Sequence, residues 1–362
     1  MRNILFLCNT YYQLIFAMHL RDCLYQDDYT IALISDHSKN ADQICARLKK
    51  INHFDETHFI HSKDLEFSRE NYKNGCSCVK NELKNIHVKV DALLYFNVSK
   101  ATTLIFSELF KRNKFIEGVQ FEEGVLSYNP NLEVKMPLTF NPYQNTLLYV
   151  FRKIFPQYNI HDKTTAFCCY YPELYNGRLD TIKIPPISSK SSIGDKIVDI
   201  FQAKSGSTTY EERYIFFTSV YDFEGGEAIG EFELVKAIAD LVGKDNLLIK
   251  MHPRDTRTVY ADEGFHIDMN SSIPFEALLF AYDFSDKVLL SATSGAILSA
   301  GLMLSYPPKM EYLYPLCKIE HNPFALGTVN QITTVLNNHI LKEKLGRVGV
   351  CTNINELSNL GE

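Results

Sequence analysis

The chain has 362 residues, of which 46% are hydrophobic and 22% are charged, and its formal net charge is −6. This length predicts about two domains with sizeable cores, and the composition is that of an ordinary folded protein. The acidic balance disfavours nucleic acid as a partner, because the chain has no overall basic field to hold it. An anionic small molecule would need a local positive site instead.

The cysteine spacing argues against a zinc or redox site, and the first residues argue against a signal peptide. The 9 cysteines form close pairs only at Cys76/Cys78 and Cys168/Cys169, without the C-x-x-C spacing of a zinc or redox site. We therefore predict no metal, and reduced thiols as in a cytoplasmic protein. The apolar start is too short for a signal peptide, and no window is long enough to cross a bilayer.

The first part of the chain alternates between apolar runs of strand length and segments with helical spacing. Thr10 or Asn9 is placed to cap the first helix, and Ser99 to cap the third. The predicted elements are strands at 4–8, 29–35 and 90–97, and helices at 11–24, 40–51 and 99–112.

A stretch with a Pro-Pro pair and a serine cluster, 176–212, interrupts this pattern and suits a connection between domains. Beyond it the alternation resumes, which implies parallel sheets covered on both faces. The predicted elements are strands at 213–220, 246–251 and 287–292, and helices at 230–243, 273–282 and 294–303. We place the domains at 1–180 and 181–362; whether the last helix packs back on the first domain is open.

Two doubly wound domains facing each other would bind a ligand beyond the carboxyl ends of their strands, in the cleft. Four motifs lie at such strand ends or helix starts. The first is His252-Pro253 in "LLIKMHPRD". Pro253 biases His252 away from the helical conformation. The imidazole could contact a phosphate or protonate a leaving group, or it could simply end the strand.

The second motif is Glu122-Glu123-Gly124 in "VQFEEGVLSY". Adjacent carboxylates cannot both face one side of a strand, so one could act as a general base while the other anchors the loop. Gly124 would allow any backbone turn there. A solvated acidic turn is the alternative interpretation.

The other two motifs lie at predicted helix starts. Thr293-Ser294 in "LLSATSGAILSAG" offers hydroxyls beside free backbone N–H groups, which suits either an anion site or ordinary capping. Glu276 in "SSIPFEALLF" could accept from the hydroxyls of a ribose, or be a favourable charge at a helix N-terminus.

Taken in chain order, the acidic pair with its glycine, the His-Pro, the Phe275-Glu276 and the Thr293-Ser294 motifs resemble those of bacterial sialyltransferases. The similarity is greatest to glycosyltransferase family 52, the lipooligosaccharide and capsule type, and the short motifs are shared with families 80 and 38. The opening "FLCNTYYQLIFA" and the strand "YIFFTSV" are also similar, so the resemblance covers about residues 4–305. It implies a GT-B type α/β fold of two Rossmann-like domains. It also implies an inverting, metal-independent transfer of sialic acid from CMP-sialic acid. CMP-sialic acid is then a substrate, and no cofactor is implied.

The resemblance also implies roles for individual residues. Glu123 matches the general base, although many relatives have Asp in this pair, and His252 matches the residue that assists departure of the donor phosphate. The residues implied to bind the CMP donor are Lys250, Pro253, Glu276, Thr293 and Ser294. Those implied to lie at the acceptor side of the cleft are Asn9, Gln13, Glu122 and Gly124.

The implied acceptor is a terminal sugar hydroxyl, such as that of galactose, on a lipooligosaccharide or capsule glycan, and the implied location is the cytoplasm. The apolar positions of 145–158 lie beside Arg152 and Lys153. They suit an amphipathic helix on the inner face of the inner membrane, a homodimer contact, or packing within the domain. Two other functions stay open: a related transferase using a glucosyl or other nonulosonic acid donor, and a nonenzymatic nucleotide-sugar binding protein.

Overall fold

A computed structural model describes residues 1–67, 72–124, 126–128, 146, 150, 153–270, 273–338 and 347–359. The chain divides into two compact units. One consists of Met1–Glu123 and Pro130–Pro185, and the other of Gly124–Asn129 and Pro186–Glu362. The last crossing of the chain from the first unit to the second therefore lies between Pro185 and Pro186.

The first unit contains a seven-stranded parallel sheet in the order β3-β2-β1-β4-β5-β6-β7. Its strands are β1 Asn3–Cys8, β2 Tyr29–Ser35, β3 Glu56–Ile60, β4 Ala92–Tyr95, β5 Glu117–Phe121, β6 Thr164–Cys169 and β7 Asp180–Lys183. Its described α-helices are α1 Tyr11–Leu24, α2 Ala41–Ile51, α3 Lys63–Phe67, α4 Tyr72–Lys84, α5 Lys100–Arg112 and α6 Ile160–Lys163.

The order of the strands places a topological switch point between β1 and β4, where successive connections leave in opposite directions. The helices that follow these two strands both begin at a capping hydroxyl. Thr10 caps α1 by accepting from the backbone N–H of Gln13, and Ser99 caps α5 by accepting from that of Thr102. Strands β1 and β2 are buried along almost their whole length, as their continuous apolar runs predict.

The second unit contains a six-stranded parallel sheet in the order β10-β9-β8-β11-β12-β13. Its strands are β8 Tyr214–Phe217, β9 Leu247–Lys250, β10 His266–Ile267, β11 Val288–Ser291, β12 Lys309–Tyr312 and β13 Val348–Val350. Its described α-helices are α7 Ser192–Phe201, α8 Glu231–Val242, α9 Val259–Asp262, α10 Phe275–Ala281, α11 Gly295–Met303, α12 Pro323–Leu336 and α13 Glu356–Asn359. The switch point of this sheet lies between β8 and β11.

The predicted connection between the units falls within 176–212, at Pro185-Pro186, but this stretch is not a plain connection. It contains strand β7 at the edge of the first sheet and helix α7 of the second unit. The serine cluster marks a helix start, because Ser191 accepts from the backbone N–H of Gly194. Ile197 and Phe201 bury the apolar face of that helix.

Residues 145, 147–149, 151 and 152 lie outside the described residues, so the amphipathic helix over 145–158 stays a prediction. Val150, Ile154 and Phe155, which are described, have exposed side chains. In the described part of the chain, no helix combines the length and the apolar character needed to cross a membrane. The last described helix, α13, packs on α8 of its own unit, and the carbonyl of its Leu357 accepts from the Tyr214 hydroxyl at 3.2 Å.

Candidate functional site

In the first unit, the two adjacent carboxylates that follow β5 have different surroundings. Glu122 is fully buried, and its carboxylate accepts from the hydroxyl of Tyr12 at 2.8 Å and from the backbone N–H of Tyr170 at 2.9 Å. Both of its oxygens are therefore used to fix the loop. Glu123 is only partly buried and accepts from the hydroxyl of Thr10 at 2.6 Å. Glu123 is therefore the less completely buried of the two carboxylates.

Burial raises the pKa of Glu123, and hydrogen bonds from Thr10 and Gln13 oppose that rise by favouring the carboxylate. A carboxylate with a raised pKa is a better proton acceptor near neutral pH than one in water. Beside it, the side-chain oxygen of Gln13 accepts from the backbone N–H of Asn9 at 2.7 Å. The buried amide oxygen of Asn9 has no hydrogen-bond partner among the described residues. This corner of the unit thus holds a carboxyl group with a raised pKa and, on Asn9, an amide oxygen with unused hydrogen-bonding capacity.

Gly124 follows the carboxylates with φ +62°, a left-handed conformation that favours glycine. A Cβ at this position would lie 2.1 Å from the hydroxyl of Ser299 in α11. The loop therefore needs glycine both for its backbone angle and for its close approach to that helix.

In the second unit, His252 follows the end of β9 and is held on both sides by hydrogen bonds. Its backbone N–H donates to the hydroxyl oxygen of Thr218 at 2.8 Å, and Thr218 lies just beyond the end of the neighbouring strand β8. Its Nδ1 accepts from the backbone N–H of Arg254 at 3.1 Å. Because Nδ1 is an acceptor, the proton of the neutral ring is on Nε2.

Burial lowers the pKa of His252, and the Arg254 guanidinium lowers it further, against the opposing charges of Glu224 and Asp255. The ring is therefore neutral at pH 7. It can donate a hydrogen bond from Nε2 to an anion without carrying a charge of its own.

The end of β11 lies on the other side of β8 and carries a cluster of hydroxyls. Ser291 donates to the carbonyl of Phe217 at 2.8 Å and accepts from the backbone N–H groups of Thr293 and Ser294. Ser294 caps α11 by accepting from the N–H of Ala296. Thr293 is buried, and its hydroxyl has no hydrogen-bond partner in the described ranges. A buried hydroxyl without a partner is costly, which marks this helix start as a place where a ligand group would be stabilising.

The other residues that the resemblance assigns to the donor are Glu276, Pro253 and Lys250. Glu276 lies in the first turn of α10, whose Phe275 packs edge-to-face on Phe217 at the end of β8, with 4.6 Å between ring centroids. Pro253 is exposed in the turn after His252. Lys250 is turned into the protein rather than towards solvent, because its Nζ lies 2.5 Å from the fully buried carboxylate of Asp268. Its implied role near the cytidine stays a prediction.

Three residues at these sites were not singled out from the sequence: Thr10 as a partner of Glu123, and Thr218 and Ser291 beside His252 and Thr293. Each is a single hydroxyl residue at or just after a strand end, where Ser and Thr are common for reasons of capping alone. No group of three or more His, Cys, Asp or Glu side chains in the described residues is arranged to hold a metal ion.

No protein-family model matches the chain, and no curated protein matches it either. Among solved structures, the chain is similar to a sialyltransferase from Photobacterium damsela, with 13% identity over 97% of this chain and 81% of that one, at a TM-score of 0.52. A UDP-N-acetylglucosamine 2-epimerase is similar at a TM-score of 0.48, with 11% identity over 99% of this chain and 94% of that one. Spinosyn rhamnosyltransferase SpnG is similar at a TM-score of 0.45, with 12% identity over 99% of both chains.

At 13% identity, the similarity to the sialyltransferase structure shows the fold alone. The predicted GT-B type α/β fold, built from two doubly wound Rossmann-like domains, is confirmed. Similarity to family 52 in particular stays a prediction, as do the roles of the individual residues.

Proposed function

We propose that the protein is a sialyltransferase that moves sialic acid from CMP-sialic acid to a sugar hydroxyl. The observation that carries the proposal is the pairing of two anion-directed groups in the second unit. These are the neutral imidazole of His252 and the unpartnered buried hydroxyl of Thr293, at the ends of strands that flank β8. Ligands of doubly wound sheets bind at this position, beside the switch point.

The residue types fit the chemistry of this transfer. The donor loses a phosphate from a tertiary anomeric carbon, through a transition state of oxocarbenium character as in glycoside hydrolysis. The bond from the acceptor oxygen to the anomeric carbon forms, the bond from that carbon to the phosphate oxygen breaks, and CMP leaves. In our proposal Glu123 takes the proton of the acceptor hydroxyl.

The charge that grows on the leaving phosphate needs donors that are already in place. We assign this to the Nε2–H of His252 and to Thr293 and Ser294 at the start of α11. One preorganised donor of this kind is worth about 3 kcal/mol in the transition state. A neutral His252 suits this role because CMP leaves as an anion, which needs hydrogen bonds rather than a full proton. Glu276 is assigned to the ribose hydroxyls.

The acceptor side of the proposal follows from the first unit. Asn9 and Gln13 lie beside the base and offer amide groups, which suit the hydroxyls of a neutral sugar. We propose a terminal galactoside of a surface glycan, such as lipooligosaccharide or capsule, as the acceptor class. A cytoplasmic protein at the inner face of the membrane would meet such a substrate.

The experiment is to incubate the purified protein with CMP-sialic acid and a panel of terminal galactosides, and to analyse the products by mass spectrometry. UDP-glucose is offered in parallel. We expect wild type to form a sialylated product. In Glu123→Gln the rate of transfer should fall by roughly 10²–10⁴-fold while CMP binding is kept. His252→Ala should lose both turnover and CMP affinity. The matched control is His266→Ala, in β10 of the same sheet, whose side chain is 53% exposed; it should behave as wild type.

Each other outcome has a clear meaning. Transfer from UDP-glucose but not from CMP-sialic acid would show a different transferase. Tight CMP binding without transfer or hydrolysis of the donor would show a nonenzymatic binding protein. A fully active His252→Ala would reduce His252 to a residue that ends a strand.

A further inference from the structure

The first turn of helix α1 and the proposed base are joined by a hydrogen bond that spans most of the first unit's sequence. The hydroxyl of Thr10 donates to Oε1 of Glu123 at 2.6 Å, and 113 positions separate the two residues in the chain. The same hydroxyl oxygen accepts from the backbone N–H of Gln13 at 3.3 Å and so caps the helix. Thr10 therefore has two functions at one atom: it starts α1 and it holds Glu123.

The first turn of α1 has no acidic residue of its own, although a negative charge is favourable at a helix N-terminus. Glu123 supplies that charge from the loop after β5. A short hydrogen bond to a carboxylate and a nearby helix N-terminus both favour the ionised form. They act against burial, which favours the protonated form.

The titratable group next to Glu123 in the chain already has hydrogen-bond partners of its own. Glu122, the preceding residue, accepts from Tyr12 of α1 and from the backbone N–H of Tyr170, so each of its oxygens is hydrogen-bonded. The groups that α1 presents to Glu123 itself are the neutral side chains of Thr10 and Gln13. A neutral donor stabilises the carboxylate without the strong pKa depression that a cation would cause, so the group stays basic enough to accept a proton.

We propose that Thr10 is a positioning residue for the reaction: its hydroxyl orients the carboxylate of Glu123 and keeps that carboxylate ionised at neutral pH. The inference rests on the proposed function for its kinetic consequence, but the contact between Thr10 and Glu123 does not. The orienting role follows from geometry. Oε1 of Glu123 is fixed by the 2.6 Å hydrogen bond from Thr10, and Gln13 of the same helix turn also donates to the carboxylate, so the group is held from the start of α1.

The test compares the pH dependence of kcat/KM in wild type, Thr10→Val, Thr10→Ser and Thr10→Asp, with CMP-sialic acid as donor. Thr10→Val should lower kcat/KM at pH 7 by about tenfold to a hundredfold, and should move the acid limb of the profile up by about one pH unit. The sign follows because a lost donor to the carboxylate raises its pKa, so the base becomes protonated at a higher pH. Thr10→Ser should restore both the rate and the position of the limb.

Two variants separate this role from helix capping. Thr10→Asp keeps a strong capping oxygen but replaces the donor by a like charge, so the acid limb should move up at least as far as in Thr10→Val while the fold is kept. Ser99→Ala is the matched control: Ser99 caps α5 of the same unit by accepting from Thr102 at 3.1 Å. It should lose a little stability and leave the pH profile unmoved.

A readout without turnover keeps the inference distinct from the proposed function. The protein is labelled with ¹³C at the glutamate carboxyls, and the signal of Glu123, identified by its loss in Glu123→Gln, is titrated in wild type and Thr10→Val. A higher pKa in the variant supports the contact even if no donor is turned over, in which case only the proposed function fails. An unchanged pKa, or an acid limb that does not move in Thr10→Val, would overturn the inference.

Discussion

The substitution Glu231→Gln should make the protein more stable at alkaline pH. Glu231 is fully buried in the first turn of α8; one oxygen accepts from the backbone N–H of Ser219 at 2.8 Å, and the other has no partner in the described residues. Burial raises the pKa of Glu231 from 4.5 to about 8; the nearby Asp222 also raises it, and Arg257 and the Ser219 bond oppose this. The folded state therefore keeps this carboxyl protonated at neutral pH.

The sign and the size of the effect follow from linkage. A carboxyl whose pKa is raised on folding contributes most stability below pH 4.5 and loses it as the pH rises through about 8. The two pKa values differ by about 3.5, and a pKa difference of one corresponds to about 1.4 kcal/mol. The full loss in the free energy of unfolding is therefore about 5 kcal/mol. Between pH 5 and pH 9 the loss is about 4 kcal/mol.

Glutamine has the same shape, stays neutral at every pH and can still accept from Ser219. Glu231→Gln should equal wild type at pH 5 and exceed it by up to about 4 kcal/mol at pH 9. The assay is urea unfolding followed by circular dichroism, because the chain contains no tryptophan. The control is Glu233→Gln in the same turn, whose exposed carboxylate pairs with Lys236 at 2.8 Å. A stability difference between Glu231→Gln and wild type that is the same at pH 5 and pH 9 would refute the reasoning.

Three further predictions use the same unfolding assay. Gly124→Ala should destabilise the protein by about 1 kcal/mol or more, since φ is +62° and the added Cβ would lie 2.1 Å from the Ser299 hydroxyl. Gly327→Ala, in helix α12, has open space for its Cβ and should stabilise the protein by about 0.5–1 kcal/mol. Equal effects of the two substitutions would contradict this. Lys250→Met should cost about 3–5 kcal/mol by leaving Asp268 buried without its cation, and Asp268→Asn in the same chain should recover much of it; a stable single variant would show that the pair is unimportant. Thr293→Val should stabilise the free protein by about 1 kcal/mol, because it removes an unpartnered buried hydroxyl, yet weaken CMP in calorimetry; unchanged CMP affinity would remove Thr293 from the donor site.

The sequence predicts six interior strands, β1, β2, β4, β8, β9 and β11, but not the interior strands β5, β6 and β12 or the edge strands. Strand β2, Tyr29–Ser35, is covered on both faces and is therefore a continuous apolar run. The edge strand β7, Asp180–Lys183, has three exposed residues out of four, so its residues carry no apolar pattern. The edge strand β10, His266–Ile267, is only two residues long. Strands of this kind are defined by their neighbours in the sheet rather than by their own residues.

The candidate site divides in the same way. His252 and Thr293 stand out because each follows a strand that the sequence predicts, whereas Glu123 stands out as part of an acidic pair before a glycine. The opposite environments of Glu122 and Glu123 could be expected from the alternation of side chains, but which of the two is anchored could not. That depends on Tyr12 and Tyr170, which come from distant parts of the chain. The neutral state of His252 likewise depends on burial and on the Arg254 guanidinium, and its tautomer depends on the backbone N–H of Arg254; no local pattern reports these.

Both units use a threonine in the same structural place. Thr10 comes two residues after β1, Thr218 comes directly after β8, and each of these strands borders the switch point of its sheet. Thr10 donates to the side chain of Glu123, and Thr218 accepts from the backbone of His252. A β-branched hydroxyl residue is suited to this position, because its side chain is stiff and can both donate and accept. In each unit, the group that we propose for catalysis is thus held by a threonine that comes just after the first strand of the sheet. That strand is an interior one, paired on both sides.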